Sequence, residues 1–383
     1  MIPRKLSEQV KKYAAKFPIL AITGPRQSGK TTFVRNTFPD YDYVNFEEID
    51  KRQFALEDPK GFLSQYKGNL IIDEAQYVPE LFSYIQVFAD TSGAMGKYIL
   101  TGSQNFLLLE KITQSLAGRV ALFNLLPFSY EELKGTVYEQ ENSLLYILKG
   151  LYPALYNRNL EPNEWYPNYL NTYIERDVRQ TLNIGNLMQF RQFMQLCAGS
   201  VGQIVNFTSI GNSIGVSNNT VKKWISVLET SFVVFRLQPY FANINKRVVK
   251  SPKLYFYDTG LACSLLGINN QQQLFTHFAK GALFENLVIV ELLKSIANNK
   301  TNSSLYFWRD SNANEVDCII DHGSKIIPVE IKSAQTINSD FFKGLDHFDK
   351  LFETNNKTLV YGGDESQQRT SYNILSWRAL ACI

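Results

Sequence analysis

Gly24-Pro25-Arg26-Gln27-Ser28-Gly29-Lys30-Thr31 is the stretch on which the reading of the fold turns. It has the form G-x-x-x-x-G-K-T, follows the apolar run Ile19-Leu20-Ala21-Ile22, and precedes a segment of helical character over residues 32–38. A strand, a glycine-bounded loop and a helix N-terminus in that order make a phosphate cradle. Successive backbone N–H groups and the helix dipole then point at one anion. Glycine at 24 and 29 lets the backbone approach a phosphate that a Cβ would hold off. Lys30 is placed to reach the β- and γ-phosphates, and the Thr31 hydroxyl to hold Mg²⁺. The run from Gly24 to Thr32 is therefore expected to bind ATP.

Residues 70–75, Leu-Ile-Ile-Asp-Glu-Ala, form a short apolar run ending in two acids. Such a strand is buried on both faces of a parallel sheet, and its carboxylates emerge at the C-terminal edge beside the phosphates. Asp73 is expected in the Mg²⁺ shell. Glu74 is expected to orient and deprotonate the water that attacks the γ-phosphate. Residues 97–101 make another buried strand, ending in Gly102-Ser103-Gln104-Asn105. A polar side chain there, Ser103 or Gln104, can touch both γ-phosphate and water, although Ser103 equally suits a helix N-cap. Arg119, just ahead of a last strand over residues 120–125, is a candidate arginine finger toward a neighbouring subunit's nucleotide or an ordinary surface arginine.

Taken together, residues 24–32, 70–76, 100–103 and 115–120 resemble the AAA+ ATPases of bacteria and archaea that carry an uncharacterised C-terminal domain. Residues 126–133 resemble the segment closing that core, and residues 173–179, Tyr-Ile-Glu-Arg-Asp-Val-Arg, the signature after it. The resemblance covers nearly the whole chain and implies an α/β fold with a P-loop AAA+ parallel-sheet core, use of ATP with Mg²⁺, and self-association through that core. The core is expected over residues 1–135.

Residues 136–193 read as a helical connector lying over the nucleotide, with its helices interrupted at Pro153, Pro162 and Pro167. Arg176 and Arg179 share a helix face there and either sense nucleotide or pair with Glu175 and Asp177. Residues 194–260 read as a winged helix. Thr208 caps a short helix carrying Ile210 and Ile214, Gly215 turns the chain, and Ser217 caps a second helix that buries Val221, Ile225 and Leu228. Its other face offers Asn218, Asn219, Lys222, Lys223 and Ser226, side chains able to reach base edges and phosphates. Residues 231–238 and 253–257 supply the two strands of the wing. Residues 190–253 hold eight Lys or Arg against one acid, Glu229, for a net +7 in a chain whose total is +3. Basic charge concentrated on that element favours nucleic acid, DNA in the first place, as partner. A lid or subunit contact is the other use of such a module.

Residues 261–383 hold a long apolar helix carrying Glu285, then strands over 304–309, 315–321 and 326–332. The order Glu285, Asp317, Glu330-x-Lys332 resembles the restriction-endonuclease-like active site. That resemblance implies Mg²⁺ on Asp317 and Glu330, with Glu285 completing the shell and Lys332 stabilising the attacking hydroxide. A fold that keeps these residues as a buried ion pair and only binds its partner is the alternative.

Composition excludes other classes. Charged residues at 20% and hydrophobic residues at 45% are those of a globular chain rather than a disordered one. No run reaches the ~20 apolar residues of a membrane span, and the first residues lack the apolar core of a signal peptide. Cys197, Cys263, Cys318 and Cys382 stand apart in apolar surroundings, as reduced core residues of a cytoplasmic protein do. The expectation is an ATPase that couples hydrolysis to a nucleic-acid-directed C-terminal half. An ATP-gated nuclease and a nucleotide-dependent switch acting on a protein partner are the competing readings.

Overall fold

The apolar runs at Ile19–Thr23, Leu70–Asp73 and Tyr98–Gly102 are buried along their whole length because each is an inner strand of a parallel sheet. The computed structural model describes residues 2–102, 115–173, 187–241, 251–354 and 356–383. The chain divides into two units: Met1–Phe128 with Thr230–Phe232 and Ala297–Lys300, and the remainder.

In chain order the first unit holds α1 (Leu6–Ala14), β1 (Ile19–Thr23), α2 (Lys30–Thr37), β2 (Asp42–Asn45), α3 (Ile49–Glu57), α4 (Pro59–Ser64), β3 (Leu70–Asp73), α5 (Leu81–Ser92), β4 (Tyr98–Gly102) and β5 (Val120–Asn124). The strands lie in the order β2-β3-β4-β1-β5, all parallel. Alternation along each strand splits the core in two. Leu20, Ile22, Ile71 and Ile99 pack with Leu6, Val10 and Phe33 on one face. Ile19, Ala21, Ile72 and Leu100 pack with Phe62, Phe82 and Ile85 on the other. The outer strands β2 and β5 are only partly covered. Parallel strands send the loops after β1, β3 and β4 to one edge, which is where a ligand binds in such sheets.

The second unit holds α6 (Tyr130–Leu133), α7 (Ser143–Lys149), α8 (Pro153–Asn157), α9 (Pro162–Tyr173), α10 (Leu187–Gly199), α11 (Phe207–Ile214), α12 (Asn218–Thr230), β6 (Val234–Pro239), β7 (Lys253–Phe256), α13 (Thr259–Leu265), α14 (Gln271–Thr276), α15 (Lys280–Asn299), β8 (Ser304–Arg309), β9 (Glu315–Asp321), β10 (Ile326–Lys332), α16 (Lys343–Phe352), β11 (Thr358–Tyr361), β12 (Gln367–Arg369) and β13 (Tyr372–Ser376). Pro153 and Pro162 open helices rather than interrupt them, since the first helical position needs no N–H donor. Pro167 stands inside α9, which therefore lacks one ladder hydrogen bond.

The helix-turn-helix pair is present. The cap of α11 is Asn206, not Thr208: its side chain accepts from the Ser209 N–H at 3.0 Å, and the helix begins a residue before Thr208. Gly215, at φ +71°, turns the chain, and the Ser217 hydroxyl accepts from the Thr220 N–H at 3.1 Å to cap α12. Val221, Ile225 and Leu228 are buried, and Trp224 joins them with its ring centroid 5.2 Å from that of Phe190 of α10.

The two expected wing strands pair antiparallel, Val234↔Phe256 to Leu237↔Lys253. They are not a separate ribbon. β6 also runs parallel to β8 through Gln238↔Tyr306, so both strands end an eight-stranded sheet ordered β12-β13-β11-β10-β9-β8-β6-β7. Cys197, Cys263 and Cys318 are buried as expected of core residues, but Cys382 is exposed, because it lies in the last turn after Leu380 rather than on a packed strand. Among the described residues no helix is long and apolar enough to cross a membrane.

Candidate nucleotide site and carboxylate cluster

The phosphate-loop residues lie between β1 and α2. The helix starts at Lys30, two residues earlier than its apolar pattern suggests, with Gly29 as N-cap at φ +90°. Gly24 has φ +150°, and a Cβ on it would sit 2.2 Å from the Leu125 carbonyl oxygen, so no other residue fits. Gly24→Ala is expected to destabilise the first unit by ~2–3 kcal/mol through overpacking and strain. Calorimetric unfolding of the variant beside wild type measures this. Pro25, Arg26 and Gln27 form the loop's outer turn, with Gln27 at φ +60°. The Ser28 hydroxyl is fully buried without a hydrogen-bond partner, a polar atom aimed inside the loop. Lys30 is buried and folds across the loop, donating to the Gly24 and Pro25 carbonyls at 3.0 and 2.8 Å.

Asp73 ends β3 in the middle of the same edge and collects hydroxyls. Oδ2 accepts from Thr31 Oγ1 at 2.6 Å and from Tyr43 OH at 2.8 Å, and Oδ1 accepts from Thr101 Oγ1. The Thr31–Asp73 pair joins the two residues expected to share Mg²⁺. A hydroxyl and a carboxylate, two oxygen donors of a hard-cation kind, suit that ion. Burial and the Asp73 charge raise the Tyr43 pKa well above the usual phenol value, so its hydroxyl stays a donor to Asp73. Glu74 follows at φ +53°, a left-handed conformation that costs a non-glycine residue about 1–2 kcal/mol. Its Oε2 accepts from Gln76 Nε2. Thr32 is exposed on the first turn of α2.

Three contributors carried no sequence signal. Arg4 donates to the Ser28 carbonyl at 3.0 Å and to the Leu126 carbonyl at 2.5 Å, with its guanidinium 4.9 Å above the Phe128 ring. It fastens the phosphate loop to the chain leaving β5. Tyr43 and Thr101 lie on β2 and β4, and only strand order brings them to Asp73. Arg119 is half-buried just before β5, with its Nε 2.6 Å from Asp90. The expectation for Ser103 and Gln104, and those for Arg176 and Arg179, lie outside the described residues.

On the second unit, Asn218, Asn219, Lys222 and Lys223 are all exposed on α12. Asn218 Nδ2 donates to Thr208 Oγ1 at 3.0 Å, tying the turn of the two-helix motif. Glu229, the one acid of the basic segment, is taken by a two-pronged bond from Arg236 at 2.6 and 2.7 Å.

The acids of the C-terminal sheet converge as well. The β9–β10 register runs from Ile326↔Asp321 to Val329↔Cys318. Beyond it, Asp317 Oδ2 accepts from the Ile331 N–H at 2.8 Å. Lys332 bridges Asp317 and Glu330 at 3.4 and 2.5 Å. Burial and the Asp317 charge outweigh Lys332 and push the Glu330 carboxyl up to about 8. Its Oε2 is buried without a hydrogen-bond partner. Glu285 reaches the same region from α15, and burial with the Asp317 charge pushes it up to about 7. Its Oε1 accepts from Lys253 at 3.2 Å and from Tyr255 OH, both on β7. Among the described residues no three His, Cys, Asp or Glu side chains are grouped so as to hold a metal ion.

Comparison with known proteins matches three stretches of the chain to family models. Residues 16–134 match the family model described as AAA domain. Residues 140–272 and 280–380 match two domains of unknown function, DUF8612 and DUF4143. The uncharacterized protein Rv2008c of Mycobacterium tuberculosis is 30% identical over 337 residues, which are 87% of this chain and 74% of the relative. The chain belongs to the same AAA+ ATPase family as that protein. An uncharacterized protein of Haemophilus influenzae is 24% identical over 72% of this chain and 74% of its own length. Among solved structures, the Walker-type ATPase PABY2304 of Pyrococcus abyssi is similar with a TM-score of 0.47 and 16% identity, covering 69% of this chain and 96% of that one. The chain carries a complete phosphate loop, Gly24 to Thr31, and both acids, Asp73 and Glu74, at the end of β3.

Proposed function

We propose that the chain hydrolyses ATP at the edge of the five-stranded sheet and couples that reaction to nucleic acid held by its second unit. The observation that carries the first half is the Thr31–Asp73 hydrogen bond of 2.6 Å. It joins the phosphate-loop helix to the strand whose next residue is the candidate base. In this reading the N–H groups of residues 24–32 bind the phosphates, and Lys30 turns from the loop carbonyls to the β- and γ-phosphates. Thr31 and Asp73 hold Mg²⁺, which when bound neutralises charge developing on the phosphate oxygens. Glu74 leaves Gln76 and takes the proton of the attacking water. Arg119 acts between copies of the chain, exchanging Asp90 for the nucleotide of a neighbour. Ser103, the residue that follows Gly102 in the sequence, completes the set.

The second half rests on the exposed polar face of α12, with Asn218, Asn219, Lys222 and Lys223 together, inside the net +7 segment. Lys222→Ala with Lys223→Ala is expected to weaken duplex DNA binding and to reduce the slope of log K against log salt by about 2, one phosphate contact for each lysine. Fluorescence anisotropy across a salt series measures both. An unchanged slope would make the two-helix motif an internal lid and direct the search for a partner toward proteins.

A further inference from the structure

The four carboxylates of this cluster, Glu285, Glu315, Asp317 and Glu330, each already face a cation of the chain. Lys253 lies between two of them, 3.2 Å from Glu285 Oε1 and 2.5 Å from Glu315 Oε1. Arg309 takes the other oxygen of Glu315 at 3.3 Å. Lys332 takes Asp317 and Glu330. A divalent ion needs several carboxylate or water oxygens directed at one point, free of competing ammonium groups. Here Glu285 is turned to Lys253, and Asp317 and Glu330 to Lys332.

Lys253 cannot easily withdraw. Its side chain is 4% exposed. Its strand is fastened from two sides next to it. Leu254 exchanges backbone hydrogen bonds with Gly202 and Gln203, at 2.8 and 3.1 Å, in the segment that leads into α11. The Asn286 side-chain amide, one residue after Glu285 on α15, holds both the N–H and the carbonyl of Phe256, at 2.8 and 2.7 Å.

The geometry points to Lys253 as a resident cation of this nuclease-like site, held between Glu285 and Glu315 so that Glu285 is not available to complete a divalent ion's shell, and keeping the cluster metal-free together with Lys332. The site then fastens β7, and with it the approach to the helix-turn-helix pair, to α15 and the sheet. The residues as arranged do not fit a catalytic Mg²⁺, so the second unit serves by binding rather than by cutting. This inference needs neither ATP hydrolysis nor DNA contact by α12, and can fail separately from both.

Mn²⁺ binding to the nucleotide-free, full-length chain, followed by electron paramagnetic resonance, tests it. Wild type is expected to bind no Mn²⁺ that Asp317→Asn removes, up to millimolar ion. Lys253→Met with Lys332→Met, checked for folding by circular dichroism, is expected to gain one Mn²⁺ per chain, lost again when Asp317→Asn is added, whereas Lys332→Met alone is expected to gain none because Lys253 still holds Glu285. A saturable site in wild type or in Lys332→Met that Asp317→Asn abolishes would overturn the inference, as would a folded double variant that gains no site. Should the double variant fail to fold, wild type and Lys332→Met against Asp317→Asn decide alone: an Asp317-dependent Mn²⁺ in either refutes the inference, and its absence from both supports it.

Discussion

Glu74→Gln is expected to bind ATP with near wild-type affinity while turnover falls by about 10²–10⁴-fold, the range for losing a positioned general base. The change is nearly isosteric and leaves the phosphate loop, Lys30 and the Thr31–Asp73 pair untouched, so the nucleotide contacts survive. Gln76 Nε2, which donates to Glu74 Oε2, can donate equally to the amide oxygen of a glutamine, and so the local structure holds. Single-turnover hydrolysis beside equilibrium binding of a fluorescent ATP analogue separates the two effects. Equal turnover in variant and wild type would remove Glu74 from this role. The left-handed backbone at Glu74 adds reason to expect the effect, since strain at an acid beside a phosphate loop marks a side chain held for use.

Lys30→Ala is expected to act one step earlier, on binding itself. A charge-assisted hydrogen bond to phosphate contributes about 1.5–3 kcal/mol, which is roughly 10- to 150-fold in Kd. The ammonium is buried against the Gly24 and Pro25 carbonyls, so it is poised at the loop and little ordering is needed to move it onto a phosphate. Calorimetric titration with ATP would show the loss. Lys30→Ala that keeps wild-type affinity would mean that the nucleotide lies elsewhere.

The parts of the nucleotide site that were legible beforehand share one property: their chemistry is contiguous in the chain. Gly24 to Thr31 carries its own strand, loop and helix, and Leu70 to Glu74 carries a buried strand with its acids at the end. Arg4, Tyr43 and Thr101 carry no such local signal, because each depends on which strands end up side by side. The same holds in the second unit. Two strands are expected over residues 231–238 and 253–257 and lie at Val234–Pro239 and Lys253–Phe256, but the Gln238↔Tyr306 pairing that makes them part of the larger sheet joins residues far apart in sequence. Lys253 is the sharpest case. In sequence it is one more base in a basic segment, whereas in the fold it is buried between Glu285 and Glu315 and so cannot contribute to a DNA-facing charge. The +7 of that stretch therefore overstates its exposed basic surface, whereas the pairing of Arg236 with Glu229 is already offset within that sum. The exposed lysines of α12 are where the charge argument keeps its force.

Coupling between the two units is the central claim, and phosphate release from Mg²⁺-ATP with and without duplex DNA at low salt tests it most directly. The account predicts hydrolysis that Glu74→Gln abolishes, that duplex DNA raises, and whose increase is lost when Lys222 and Lys223 are both alanine. Turnover identical with and without saturating DNA, or an increase that survives the double lysine change, would contradict it.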